Sequence, residues 1–209
     1  MSAGEPRRIG CPQCGGALEL YGGHKVRSVV CPYCGSELDP RDELKLLQAH
    51  RELSQDRAWM PLELGMQGRL KGVDYTIIGL VQYFSAPDSW VEFCLYSPTH
   101  GYQWLSWEKG HWIFYRRVRT LPSPQEWWRL TPKRSVKALG RRFAFYEAYT
   151  AEIRDLAGEL PWVAKREDRV RMADAIDPPL LLSVEQTGEE LEYALGEYLP
   201  LEQVQAAFA

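Results

Sequence analysis

No uninterrupted apolar run in this sequence approaches the ~18–20 residues that a membrane-spanning helix requires. Residues 1–10 also lack the apolar centre of a secretory signal. Both absences point to a cytoplasmic chain without a transmembrane segment. Histidine is scarce, at four in 209 residues, and the four stand at unrelated positions, away from any metal-ligand spacing. A hydrolase or transferase needs a nucleophile with a base in reach, a phosphate-cradling glycine loop or an open metal position. None is legible, so the chain reads as non-enzymatic and no catalytic residue is assigned. The one carboxylate pair worth weighing for acid–base work, Glu108 and Glu185, falls at turn positions, which are more often exposed than gathered in one cleft.

Cysteine is also sparse, at five, but four of the five are organised. Cys11-Pro12-Gln13-Cys14-Gly15 and Cys31-Pro32-Tyr33-Cys34-Gly35 repeat one pattern with sixteen residues between Cys14 and Cys31. Two residues between cysteines let both thiolates turn onto one ion, and the glycine that follows lets the backbone turn beneath them. Two such knuckles make a closed shell of Cys11, Cys14, Cys31 and Cys34 around zinc, a structural site with no place for substrate. Residues 1–40 therefore read as a zinc ribbon, and disulfides are disfavoured in a chain without a secretory signal. Cys94, the fifth, reads as a buried thiol.

After the ribbon, Asp39-Pro40 opens an expected helix with Leu44, Leu47 and Leu53 on one side, and residues 41–60 read as a helical linker. From residue 61 the periodicity changes to two. Segments starting at Val73, Trp90, Tyr102 and Trp112 read as strands of an antiparallel meander, and further strands are expected between Phe143 and Leu160 and from Val170, Leu180 and Leu191. Trp104-Leu105-Ser106-Trp107-Glu108 has a counterpart in Leu181-Leu182-Ser183-Val184-Glu185, with Tyr75-Thr76 and Trp90 before the first and Tyr149-Thr150 and Trp162 before the second. A recurrence of this length implies a duplicated unit. The fold class is then mainly β: a zinc ribbon plus a duplicated antiparallel β unit, barrel- or sandwich-like, over residues 61–209, with units at about 61–121 and 136–209 and a few short helices. A last short helix carries Leu201, Val204 and Phe208.

Charge is unevenly spread. Residues 58–145 carry a net +6 and residues 146–209 a net −9. Nine lysines and arginines lie between Arg116 and Arg142, opposed only by Glu126. The connector with Trp127, Trp128, Arg129 and Arg134 is the candidate partner-binding surface. A protein partner is favoured there, and nucleic acid through the same basic segment is the alternative.

Pro61-Leu62-x-Leu64-Gly65, Gly72-x-x-Tyr75-x-Ile77-Ile78-Gly79, Trp90-x-Glu92-Phe93, Gly158-Glu159-Leu160-Pro161-Trp162, Asp177-Pro178-Pro179 and Leu195-Gly196-Glu197-Tyr198 together resemble a bacterial family, domain of unknown function 4178. The resemblance covers about residues 61–206, and a zinc ribbon ahead of it is similar to arrangements common in that family. It supplies no catalytic residue. It implies gene company with membrane-stress proteins of the phage-shock type, flotillin-like or small membrane proteins, and polyamine-enzyme homologues. The expected role is a non-enzymatic zinc-ribbon adaptor that binds a protein partner at or near the membrane, in a stress-response or polyamine-linked bacterial system.

Overall fold

The computed structural model describes residues 6–22, 26–42, 45–49, 57–118, 134–188 and 190–209. In the ribbon, β1 (Arg7–Gly10) pairs with β2 (Ala17–Leu20), and β3 (Ser28–Val30) pairs with β4 (Glu37–Asp39). Its apolar content is small. Leu18, Val26, Val29 and Leu38 pack with Cys11 and Cys31 in a cluster of their own.

The main body is built from two antiparallel meanders. The first runs through β6 (Gln67–Leu70), β7 (Val73–Ser85), β8 (Asp88–Ser97), β9 (Gly101–Glu108) and β10 (His111–Arg117). After β11 (Ser135–Ala138), the second runs through β12 (Arg141–Leu160), β13 (Arg169–Asp177), β14 (Leu180–Thr187) and β15 (Glu190–Leu199). Strand β10 pairs with β15, and β12 pairs with β7, so β7 to β10 and β12 to β15 close into an eight-stranded barrel. Of the two architectures left open by the sequence, barrel and sandwich, the chain adopts the first.

Period-two alternation explains how one strand serves two cores. On β8, Val91, Phe93 and Leu95 face outward into a cluster with Leu80, Leu105 and Phe114. That cluster is covered by Met60, Leu62 and Leu70 and by Val204 and Phe208 from α1 (Leu201–Ala207). The alternate positions Trp90 and Cys94 belong to the interior cluster with Tyr83, Trp104, Ile153 and Met172. A third cluster, under the β11–β12 hairpin, holds Val136 and Phe143 against Leu182 and Val184.

The last turns of β12 do more than close the barrel. Gly158 lies opposite Gly79 on β7 and opposite Val30 on β3, so barrel and ribbon are joined through one strand. The backbones cross so closely that a Cβ on Gly158 would lie 2.2 Å from the Ile78 carbonyl oxygen, and one on Gly79 2.2 Å from that of Glu159. Gly158 also has φ +77°, a region that side chains disfavour. Beside the crossing, the fully buried Asp155 accepts two hydrogen bonds from Arg57, at 2.6 and 3.0 Å, and one from Arg166 at 2.9 Å. Arg57 also donates to the Pro32 carbonyl at 3.4 Å, which ties the second cysteine knuckle to the barrel wall.

Two expectations need correction. The segment after the ribbon is not helical where it is described: Lys45–Gln48 forms strand β5, paired with β4, while residues 50–56 lie outside the described residues. The physical reason is local. The Asp39 carboxylate accepts from the Arg41 backbone N–H at 2.9 Å and holds a turn that returns the chain beside β4. Leu47, read as part of the apolar side of that helix, is 44 % exposed. The Asp177-Pro178-Pro179 run forms the tip of the β13–β14 hairpin. Both four-stranded meanders place the paired motifs consistently in part: Tyr75-Thr76 and Tyr149-Thr150 lie on their first strands and Leu105 and Leu182 on their third. Trp90 lies within β8, however, whereas Trp162 follows β12 in a loop.

Replacing Gly158 with alanine should destabilise the chain by about 3 kcal/mol or more, since backbone strain and a backbone clash coincide. Gly72→Ala, at φ +80° with nothing within 4 Å, should cost clearly less. Urea unfolding of the two variants checks this, and equal losses would mean that the crossing is not tight.

Candidate metal centre and barrel lumen

Both cysteine knuckles fold in the same way. Gly15 N–H donates to the Cys11 carbonyl at 2.8 Å and Gly35 N–H to the Cys31 carbonyl at 2.9 Å, with φ of +76° and +71° at the two glycines. The turns bring the four sulfur atoms within 4.8 Å of one another, with Cys11 to Cys34 at 3.9 Å and Cys14 to Cys31 at 3.7 Å. Tetrahedral bonds of roughly 2.3 Å to one ion put sulfurs about 3.8 Å apart, so the donor set fits a single tetrahedral metal. Cys11 and Cys31 are buried and Cys14 exposed, leaving the centre at the surface of the ribbon.

The barrel interior carries the second site, which sequence reasoning did not find. A cavity of about 870 Å³ opens between the β7–β8, β9–β10 and β13–β14 hairpins. Its wall takes alternate residues of each strand: Trp90 and Glu92, Ser106 and Glu108, Ile113 and Tyr115, Met172 and Asp174, Ser183 and Glu185. A smaller recess of about 70 Å³ at the other end is lined by Arg117, Trp162 and Glu192, and Glu185 borders both spaces.

The lumen is unusually acidic for an interior. Glu92 and Asp174 are each 6 % exposed. Glu92 accepts from the indole N–H of Trp90 at 3.1 Å, and Asp174 Oδ2 from the Tyr149 hydroxyl at 3.4 Å. Glu185 is half-buried, with part of its surface open to the cavity. Register sets acids against acids: Glu147 lies directly opposite Asp174, and Glu185 opposite Glu192. Desolvation pushes the Glu92 and Asp174 carboxyls up to about 7, with neighbouring carboxylates adding to the rise; the Trp90 bond to Glu92 opposes it, as do Ser183 and Tyr149 at Asp174. Glu185 is pushed well above the carboxylate range, by desolvation first and then by Glu92, Glu192 and Asp174. The same desolvation raises Tyr83, Tyr115 and Tyr149.

The two carboxylates weighed as a pair, Glu108 and Glu185, do line one cavity, against the expectation of exposed turn positions. Glu185 lies inside strand β14, while Glu108 ends β9 beside Lys109 at 3.8 Å. Part of the acidic surplus of the C-terminal half thus faces inward. Of the candidate partner-binding residues, Trp127, Trp128 and Arg129 lie outside the described residues. Arg134 is exposed just before β11. Cys94 is buried in the interior cluster, and desolvation pushes its thiol far from ionisation. The missed signal for the lumen was available in part: Glu92 stands inside the apolar run from Trp90 to Tyr96, and Asp174 stands between Ala173 and Ala175.

A closed eight-stranded barrel carrying a four-cysteine centre on an added sheet defines the architectural class. Residues 63–201 match the family described as Domain of unknown function (DUF4178), and the chain belongs to that family. The match starts beyond the cysteine ribbon. No curated protein and no solved structure matches the chain.

The raised carboxyls fix the sign of a pH effect. A folded-state pKa above the unfolded one means that the folded chain holds the extra proton, so this contribution is full below about pH 4 and is lost as pH rises through about 7. Stability should therefore fall between pH 5 and 8, and the double variant Glu92→Gln/Asp174→Asn should flatten the fall. Urea midpoints across that range measure it; an unchanged slope in the variant would show that these two groups do not titrate as the lumen dictates.

Proposed function

We propose that the chain is a non-enzymatic adaptor in which a structural zinc fixes the ribbon and the barrel lumen holds a small ligand. The observation that carries this reading is the cavity itself, whose volume of about 870 Å³ falls in the range of small-molecule sites. The non-catalytic part is supported by Cys94, the one thiol outside the cysteine knuckles, which is buried in the interior cluster and desolvated. Zinc is the metal that four thiolates at this spacing suit. Support for a protein partner comes from the ribbon, where the knuckle residue Tyr33 is 53 % exposed and edge strand β5 exposes Leu46 and Leu47. Such an edge can accept an added strand. We also read the two meanders as copies of one duplicated unit, supported by the shared strand positions of Tyr75-Thr76 with Tyr149-Thr150 and Leu105 with Leu182.

Two measurements test this. Metal analysis of protein purified without chelator should return one zinc per chain, and Cys11→Ser/Cys14→Ser should lose it; zinc-free wild-type protein that melts unchanged would refute a structural ion. Native mass spectrometry of gently purified protein should show a small non-covalent adduct beyond zinc, displaced when a bulky tryptophan replaces Ser183. Protein that carries zinc alone, and that no small molecule stabilises, would refute the ligand-holding lumen.

A further inference from the structure

The lumen combines features that together restrict what it can hold. Its acids are not gathered on one point. Among the described residues, the four cysteines are the one group of three or more possible metal ligands close enough for a single ion. The carboxylates of Glu92, Asp174 and Glu185 are thus too dispersed to share a calcium or magnesium ion, which draws its oxygens to within about 2.6 Å. Basic partners are also remote. Among the described residues, the basic groups in the cavity lining are Lys109 and His111, both exposed at its rim, and Lys109 already pairs with Asp88.

Independent of the acid cluster, one atom points to a missing partner. Asp174 Oδ1 has no hydrogen-bond partner among the described residues, although Asp174 is only 6 % exposed and lines the cavity. A buried polar atom left unsatisfied costs on the order of 1–3 kcal/mol, and more if charged, so natural structures rarely keep one without a use. The directly opposed pairs Glu147–Asp174 and Glu185–Glu192 add a like-charge penalty in the same place. Glu192 is balanced by Arg117 at 2.6 Å, outside the large cavity. Asp174 and Glu147 have no such cation in the lining. Aromatic walls complete the set. Trp90 stacks on Tyr83 at 5.3 Å and meets Tyr149 edge-on at 5.8 Å, while its N–H is directed to Glu92.

From these features we infer that the lumen takes an elongated organic cation with more than one ammonium group. One ammonium lies against Asp174 and Glu147 and another towards Glu92 or Glu185, and the alkyl chain between them lies against Trp90 and Tyr149. Ammonium groups supply the donors that Asp174 lacks, separated charges match dispersed carboxylates, and aromatic faces favour both the cations and the methylenes. A compact metal ion, a neutral ligand and an anion each fail at least one of these conditions.

This inference rests on the ligand-holding lumen proposed above, and the test separates the two. Calorimetry and thermal shift on the full chain compare hexamethylenediamine, hexylamine, hexanediol, adipate and magnesium chloride. The diamine should bind one per chain, hexylamine more weakly, and the diol and adipate not at all. Asp174→Asn should weaken the diamine by about ten- to a hundredfold while raising the melting temperature of the free protein at pH 8, because it removes a buried charge that no cation in the lining balances. A merely structural aspartate would instead lose stability on substitution. If the diol or adipate binds as well as the diamine, the cation is refuted and the lumen reading survives. Magnesium binding alone, lost in Asp174→Asn, would make the acids a metal site and overturn the proposal. If none binds and none shifts the melt, both readings fall.

Discussion

Everything in this molecule depends on the close approach of two backbones at Gly79 and Gly158. Eight strands make a barrel only if the first and last of them pair, and here β7 meets β12 where neither chain has a side chain to hold them apart. Closure removes the unpaired edges that an open sheet would expose. It also encloses the lumen, because the inward residues of opposite strands then face a common space. A sheet of the same sequence left open would bring Glu92 and Asp174 to no common site.

The ribbon is secured to the same strand. Gly158, Glu159 and Leu160 pair with β3, and the Glu159 carboxylate accepts hydrogen bonds from the backbone N–H groups of Tyr21 and Gly22. Burial lifts that carboxyl to about 7, while the two backbone donors act against the rise. Asp155, three residues before Gly158, has its charge matched by Arg57 and Arg166. Asp155 and Glu159 are thus hydrogen-bonded through both carboxylate oxygens, whereas Asp174 in the lumen keeps one unsatisfied. Asp155 and Glu159 therefore serve to hold ribbon and barrel together.

Much of this was legible in the residues, and for identifiable reasons. The cysteine spacing pointed to the four-sulfur cluster because knuckle geometry is local. The strands of both meanders followed from period-two patterning and turn residues, and the stretch from Phe143 to Leu160 is strand within β12. Barrel closure was not legible, since it depends on pairing residues far apart in sequence and on two glycines whose need for space appears only when the strands cross. The lumen was missed for the same reason: Glu92, Asp174 and Glu185 come from three strands and become neighbours only after closure. The helix expected after the ribbon failed because a leucine stripe there was weighed above the turn grammar of Asp39-Pro40-Arg41-Asp42.

The closing pair also bears on the order of folding. Gly79 and Gly158 lie far apart in the chain, whereas each knuckle closes within a few residues and each hairpin with a short turn. Loop-closure entropy makes such a long-range pairing slow relative to local ones. Hairpins and knuckles, whose loops are short, are therefore favoured over barrel closure in the order of folding. Since only the closed barrel brings Glu92 and Asp174 into one lumen, their desolvation belongs to the step in which the two glycines meet.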